Sequence, residues 1–242
     1  MEQGRKSGVE RECGQTYAAD LAKAYVPHLR YDRAEPFGLA GIGYTIYADR
    51  RHSPSCRRVI EPVFGGVVIE YAFYYDFDIQ HLYDLEHAFV YLDGEGKVAG
   101  VESSFHGKFL NSLIEGVTAF EEGHPVLYVQ PGKHAFLPAP EYFRLVIDRD
   151  AACNRNAGEA GFLISSMFEG RLFTDQALDW KIEEYIRRSY AFTPTWEFTD
   201  KSPDGRSTEE VLMPYEELDA LIVRRLSEWS RRISAELNIE GR

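Results

Sequence analysis

Cysteine is scarce in this 242-residue chain: Cys13, Cys56 and Cys153 are the three present, far apart, and no Cys-x-x-Cys pair occurs. Their number and spacing argue against a disulfide framework, a zinc knuckle and a thioredoxin-type motif, and favour a reducing compartment. Long apolar runs are also missing, none approaching the ~18 residues that a membrane-spanning helix needs. The N-terminal stretch MEQGRKSGVERECGQ has no apolar signal-peptide core, so the expected location is cytoplasmic. Positive charge is in deficit, with 27 Lys+Arg against 39 Asp+Glu and a net charge of −12. Such a chain is a poor partner for nucleic acid or an anionic membrane, and better suited to a cationic ligand or a metal ion. No Walker loop and no Gly-x-Ser-x-Gly occurs, and GLAGIG at 38–43 lacks the flanking strand and helix of a dinucleotide fingerprint.

Aromatic residues, by contrast, are plentiful at 14%, with 15 Tyr and 15 Phe. They favour strands and the walls of concave sites. From about 38 to 147 the pattern is that of short strands: 38–49, 56–64, 66–78, 85–93, 97–105 and 125–130, with a further one at Arg144–Ile147. The third of these is nearly continuous in apolar residues, as a central strand covered on both faces would be. DGEG at 93–96 and Pro131-Gly132 are turn signals. Residues 16–25 form a short helix ended by Pro27, and 175–190 and 214–237 form two longer ones. The last carries Leu218, Leu221, Ile222, Leu226, Trp229 and Ile233 on one face. That face is expected to pack on the β-domain, with a homodimer interface through 214–237 as the alternative. The fold class is therefore mostly β (α+β): an antiparallel β-sandwich with an N-terminal helix and two C-terminal helices packed on it. Residues 1–15 are a flexible tail, and 16–242 a single domain with a helical extension from about 173 to 240.

The chemistry concentrates in DFDIQHLYDLEH, residues 76–87. On a strand, Asp84 and Glu86 share a face, and His81, on a preceding loop, can fold back over it. Two carboxylates and an imidazole, joined by His87, suit Mg²⁺, Mn²⁺ or Ca²⁺ better than zinc, and Asp76 and Asp78 are near enough to add a ligand. A three-residue loop of Gly94, Glu95 and Gly96 sets Asp93 opposite Lys97, which brings His106 opposite Asp84 and Ser104 opposite Glu86. A two-residue loop would send His106 to the other face. Gly107 is expected to allow close backbone approach beside the site. In QPGKHAF, a tight turn presents Lys133 and His134 from a strand end.

These segments, HxxDxEH, SFHG and GKHA, come in an order that resembles two groups of proteins over about residues 70–136. One is the necrosis-inducing (Nep1-like) family, with its GHRHDWE heptad. The other is the vacuolar protein sorting-associated family of the sixty-two type, with DWEHV, QHG and GSHA segments. Here Leu85, Gln80 and Lys133 stand where the family motifs have tryptophan, glycine and serine. The resemblance implies a β-sandwich with helical additions and a divalent-metal site at its edge, with His81, Asp84 and Glu86 as ligands. His87, His106 and His134 match motif positions of the second group. The expected function is a metal-dependent hydrolase, in which Glu86, His106 or His134 activates a metal-bound water and Lys133 stabilises negative charge. The alternative is a non-catalytic, metal-assisted binding protein for a small polar molecule such as a sugar or polar headgroup. A third reading makes the cluster a buried structural network.

Overall fold

The run VIEYAFYYDF forms a ten-residue strand, Val68–Phe77, that is buried along nearly its whole length. A strand of that composition needs cover on both faces, and the rest of the chain supplies it. The computed structural model describes residues 8–63 and 65–239. Its α-helices are α1 (Gly8–Tyr25), α2 (Gln176–Tyr190) and α3 (Tyr215–Ile239). The first seven strands are β1 (His28–Asp32), β2 (Gly41–Tyr47), β3 (Arg51–His52), β4 (Val59–Ile60), β5 (Val68–Phe77), β6 (His81–Leu92) and β7 (Val98–Phe105). The others are β8 (Lys108–Asn111), β9 (Phe120–Glu121), β10 (His124–Val129), β11 (Phe136–Leu137), β12 (Gly161–Phe162), β13 (Phe198–Thr199) and β14 (Leu212–Pro214).

The larger sheet runs β14-β2-β5-β6-β7-β8, with β12 paired to the start of β6. The smaller runs β11-β10-β1-β13, with β9 beside β10. One face of the larger sheet packs on the smaller one: Phe73 meets Phe136 edge-on and the Tyr31 and Tyr75 hydroxyls lie 3.1 Å apart. The opposite face takes α3. Gly41 and Gly43 leave room for it, since a Cβ at either would come within 2.8 Å of Leu218. Leu218, Ile222, Leu226 and Ile233 are buried there within the chain, as expected of a face packed on the β-domain. Arg225 fixes the helix to the sheet through both oxygens of Asp76. No described helix is long and apolar enough to cross a membrane.

The mostly-β sandwich with flanking helices agrees with the sequence expectation, and several details differ. α1 begins at Gly8, so residues 8–15 of the expected tail are helical, and residues 1–7 lie outside the described residues. Arg144–Ile147 is no strand: residues Pro140–Leu145 form a 3-10 helix opened by its proline. His81 opens β6 instead of lying on a loop, because β12 pairs with it in parallel. Cys56 and Cys153 are free thiols, and the Cys13 side chain lies outside the described residues.

Candidate functional site

The site is set by the geometry of β6, which sends alternate side chains to opposite faces. Tyr75 pairs with Asp84 and Phe73 with Glu86, so both carboxylates face the smaller sheet. Ala72 pairs with His87, which places that histidine on the α3 side. His87 therefore cannot share an ion with Asp84 and Glu86, and its place in the predicted metal set is corrected.

The turn at Gln130–His134 supplies the centre of the inner cluster. Pro131 and Gly132 occupy the middle of a type II β-turn, closed by Lys133 N–H on the Gln130 carbonyl at 3.2 Å, with Gly132 at φ +66°. A Cβ at Gly132 would lie 2.9 Å from that of Ile79, so glycine is required twice over. His134 follows at φ +55° and is wholly buried. Its ring stacks on Tyr75 at 3.8 Å, its Nδ1 lies 2.8 Å from Asp84 Oδ2, and its Nε2 lies 3.5 Å from Glu35 Oε1 without a hydrogen bond. Glu35 is itself held by the Gly132 N–H at 2.7 Å. Burial works against a charged imidazole here, but Asp84 and Glu35 outweigh it and raise the His134 pKa to about 10. His134 is thus a cation clamped between two carboxylates.

Two further polar groups adjoin it. Asp78 is paired with the Lys133 ammonium and lies 3.6 Å from His81 Nε2. Burial pulls its carboxyl upward, but His81 and Lys133 hold it below its ordinary value. Lys133 also donates to Gln80 Oε1 at 2.9 Å. Glu86 accepts from the Ser104 hydroxyl, and burial with the nearby Asp84 charge pushes its carboxyl well above the usual range.

His106 departs from expectation. The turn register is as foreseen, with Gly96 at φ +80° and the Asp93 N–H on the Lys97 carbonyl at 2.9 Å. Beyond it a β-bulge intervenes: Leu92 pairs with Val98 but Tyr91 with Gly100, leaving Ala99 as the extra residue. The register moves by one, Ser103 faces Ala88, and His106 and Gly107 become a two-residue hairpin turn between Phe105 and Lys108. Their φ values of +49° and +76° are those of a type I′ turn, so Gly107 serves the turn and not a close approach. His106 is exposed, and desolvation of its ring, aided by Lys133, lowers its pKa.

The residues expected to act together are thus divided. His134 and Asp84 meet, Lys133 is committed to Asp78, Glu86 to Ser104, and His106 sits on a turn. Among the described residues, the groups of potential ligands whose atoms all lie within 4.8 Å of one another are His28–His124–Glu209 and Cys56–Glu70–His87. His81, Asp84 and Glu86 are not so gathered, and their oxygens are taken by His134 and Ser104. The residues present do not fit a divalent ion on this face. Glu35 and Tyr75 were missed in the sequence because no local motif links them to His134. Backbone strain marks Tyr83, a bulky residue inside a strand, which sits at φ +86°.

On the α3 side of β6 a pocket of about 390 Å³ is lined by His81, Tyr83, Asp84 and His87, by Ser55, Cys56 and Arg57, and by residues of 163–167.

No protein-family model matches the chain, and no curated protein matches it. Among solved structures, it is similar to Necrosis and Ethylene inducing Protein 2 from the causal agent of cocoa's Witches Broom disease. That match has 20% identity and a TM-score of 0.35, over 62% of this chain and 87% of the other. NLPPya in complex with glucosamine matches at 15% identity and TM-score 0.33, over 48% of this chain and 64% of that one. NLPPya in complex with mannosamine matches at 15% and 0.31, over 64% and 90%. All three likenesses are distant, and none of the three is to a vacuolar sorting protein. What this chain binds is read from its own side chains.

Proposed function

We propose that the chain is a non-catalytic binding protein for a small polar ligand of the glycan class. The observation that carries this reading is the wall of the pocket of about 390 Å³, which combines His81, Ser165 and Ser166 with Leu85, Leu163 and Met167. Sugars present hydroxyls at their rim and C–H groups on their faces, and a wall mixing polar and apolar groups complements both. The groups a hydrolase would need are otherwise engaged: His134 is sealed between carboxylates, Glu86 is tied to Ser104 and Lys133 to Asp78. A general base must reach the proton that it removes, and these do not reach the pocket together.

Calorimetric titration with neutral and amino monosaccharides tests the reading. Binding is expected to weaken at least about tenfold, some 1.4 kcal/mol, in a Ser166→Trp variant that fills the mouth. Absence of binding by every sugar, or steady turnover of a chromogenic ester or glycoside, would overturn it.

A further inference from the structure

On the α3 face of the larger sheet, Glu70 of β5 is only 1% exposed. Its Oε2 accepts from the Tyr47 hydroxyl and its Oε1 from Ser53 at 2.7 Å, from Ser55, and from the Cys56 thiol at 3.8 Å. Every one of these donors is neutral. The basic group beside it is His87, whose Nε2 lies 4.0 Å from Oε1. That nitrogen also shares a hydrogen bond with the Ser55 hydroxyl at 2.9 Å. Arg58, the nearby guanidinium, is paired with Glu102 instead. Glu70 is thus enclosed by hydroxyl, thiol and imidazole groups, with no ammonium or guanidinium paired to it among the described residues.

The same neighbours offer what a cation needs. Cys56 Sγ, a Glu70 oxygen and a His87 nitrogen all lie within 4.8 Å of one another. The loop holding Cys56 is preformed, since the Ser53 hydroxyl accepts from both the Ser55 and Cys56 N–H groups at 3.0 Å while donating to Glu70. Cys56 is half-buried, and Cys56 and His87 both line the pocket. We infer that Cys56, Glu70 and His87 form a three-residue site for a thiophilic divalent ion of the zinc class, with its fourth position open to the pocket.

The donor set selects the metal. Thiolate and imidazole ligands disfavour Mg²⁺ and Ca²⁺ and suit Zn²⁺. Bonds of about 2.3 Å to sulfur and about 2.0–2.1 Å to nitrogen and oxygen require the three groups to draw in by roughly an ångström or less. As the sulfur–metal bond forms, the thiol proton leaves to solvent. A thiolate, a carboxylate and a neutral imidazole then balance the two positive charges of the ion. The inference is independent of what the pocket binds, because the metal alone is the probe.

The full chain, stripped of metal, is titrated with Co²⁺ as a reporter and then with Zn²⁺. One ion per chain is expected, with a thiolate-to-cobalt charge-transfer band, and Zn²⁺ should protect Cys56 from alkylation as read by mass spectrometry. Cys56→Ser should abolish the band and weaken zinc at least about 100-fold, beyond what outer partners of a ligand cost. His87→Gln, checked for folding by circular dichroism, should do likewise. Failure of Zn²⁺ to protect Cys56 in the unaltered chain, absence of the band, or equal zinc affinity in Cys56→Ser would overturn the inference.

Discussion

His134 makes stability depend on pH in a defined direction. Its pKa is raised to about 10 in the fold, against about 6.5 for an imidazole in an unfolded chain. A group held more basic by folding contributes stability fully below its unfolded pKa, and loses it as pH climbs toward the folded value. Between those limits the native state keeps one proton that the unfolded state has released, and the slope is about −1.4 kcal/mol per pH unit. Across the window from about pH 7 to about pH 8.5 the loss is therefore about 2 kcal/mol. His87 and His106, held below their usual values, complete their change at lower pH, and the thiols of the unfolded chain, which ionise at about pH 8.5, add a smaller loss of the same sign toward the top of the window. Glu86, pushed upward, would add to the slope with the same sign, so the measurement uses a Glu86→Gln background. Urea denaturation with a chelator present should show unfolding free energy falling across the window, and the imidazole signals of His134 in NMR should show no midpoint there. A stability that is flat or rises with pH in that background would refute the account of His134 as a clamped cation.

Three other outcomes follow from single contacts. Ser104→Ala removes the hydroxyl donor of Glu86 and an acceptor of the His87 N–H, and should cost about 1–3 kcal/mol in urea denaturation. Gly132→Ala meets Ile79 at 2.9 Å from a φ of +66°; it should destabilise by more than about 1 kcal/mol, whereas alanine at an unstrained glycine is neutral or stabilising. Arg225→Ala removes the two contacts of α3 to Asp76 on the sheet, and should lower thermal stability by about 1–2 kcal/mol, less than a fully buried pair because Arg225 is half-exposed.

Local patterns carried far into this fold. The apolar run of β5, the span of α2 and the stripe of α3 each depend on a few neighbouring residues, and all were readable in the sequence. The pairing of Asp84 with His134 was only partly so. Both residues stood out as candidates, but their contact spans fifty positions and two sheets. Glu35, nearly a hundred residues from His134, had no local signature at all. His106 was misplaced by one unpaired residue, Ala99, which moves the β6–β7 register by one. A bulge leaves little trace in an alternating pattern, because each side of it remains regular. His87 stood in its motif, but its partners did not: Ser55, Cys56 and Glu70 come from a loop and a strand that sequence reasoning treated separately.

A β-sheet ordinarily insulates its two faces, because side chains pointing in opposite directions never touch. The Ser104 hydroxyl breaches that insulation: it takes the N–H of His87 at 2.7 Å and gives its own proton to Glu86. Binding free energies linked through such a contact are reciprocal. An ion that draws His87 toward Glu70 changes the grip of Glu86 on its proton, and protonation of Glu86 changes the retention of that ion by the same amount. The sheet thereby becomes the communicating wall between two chambers, and one serine is its aperture.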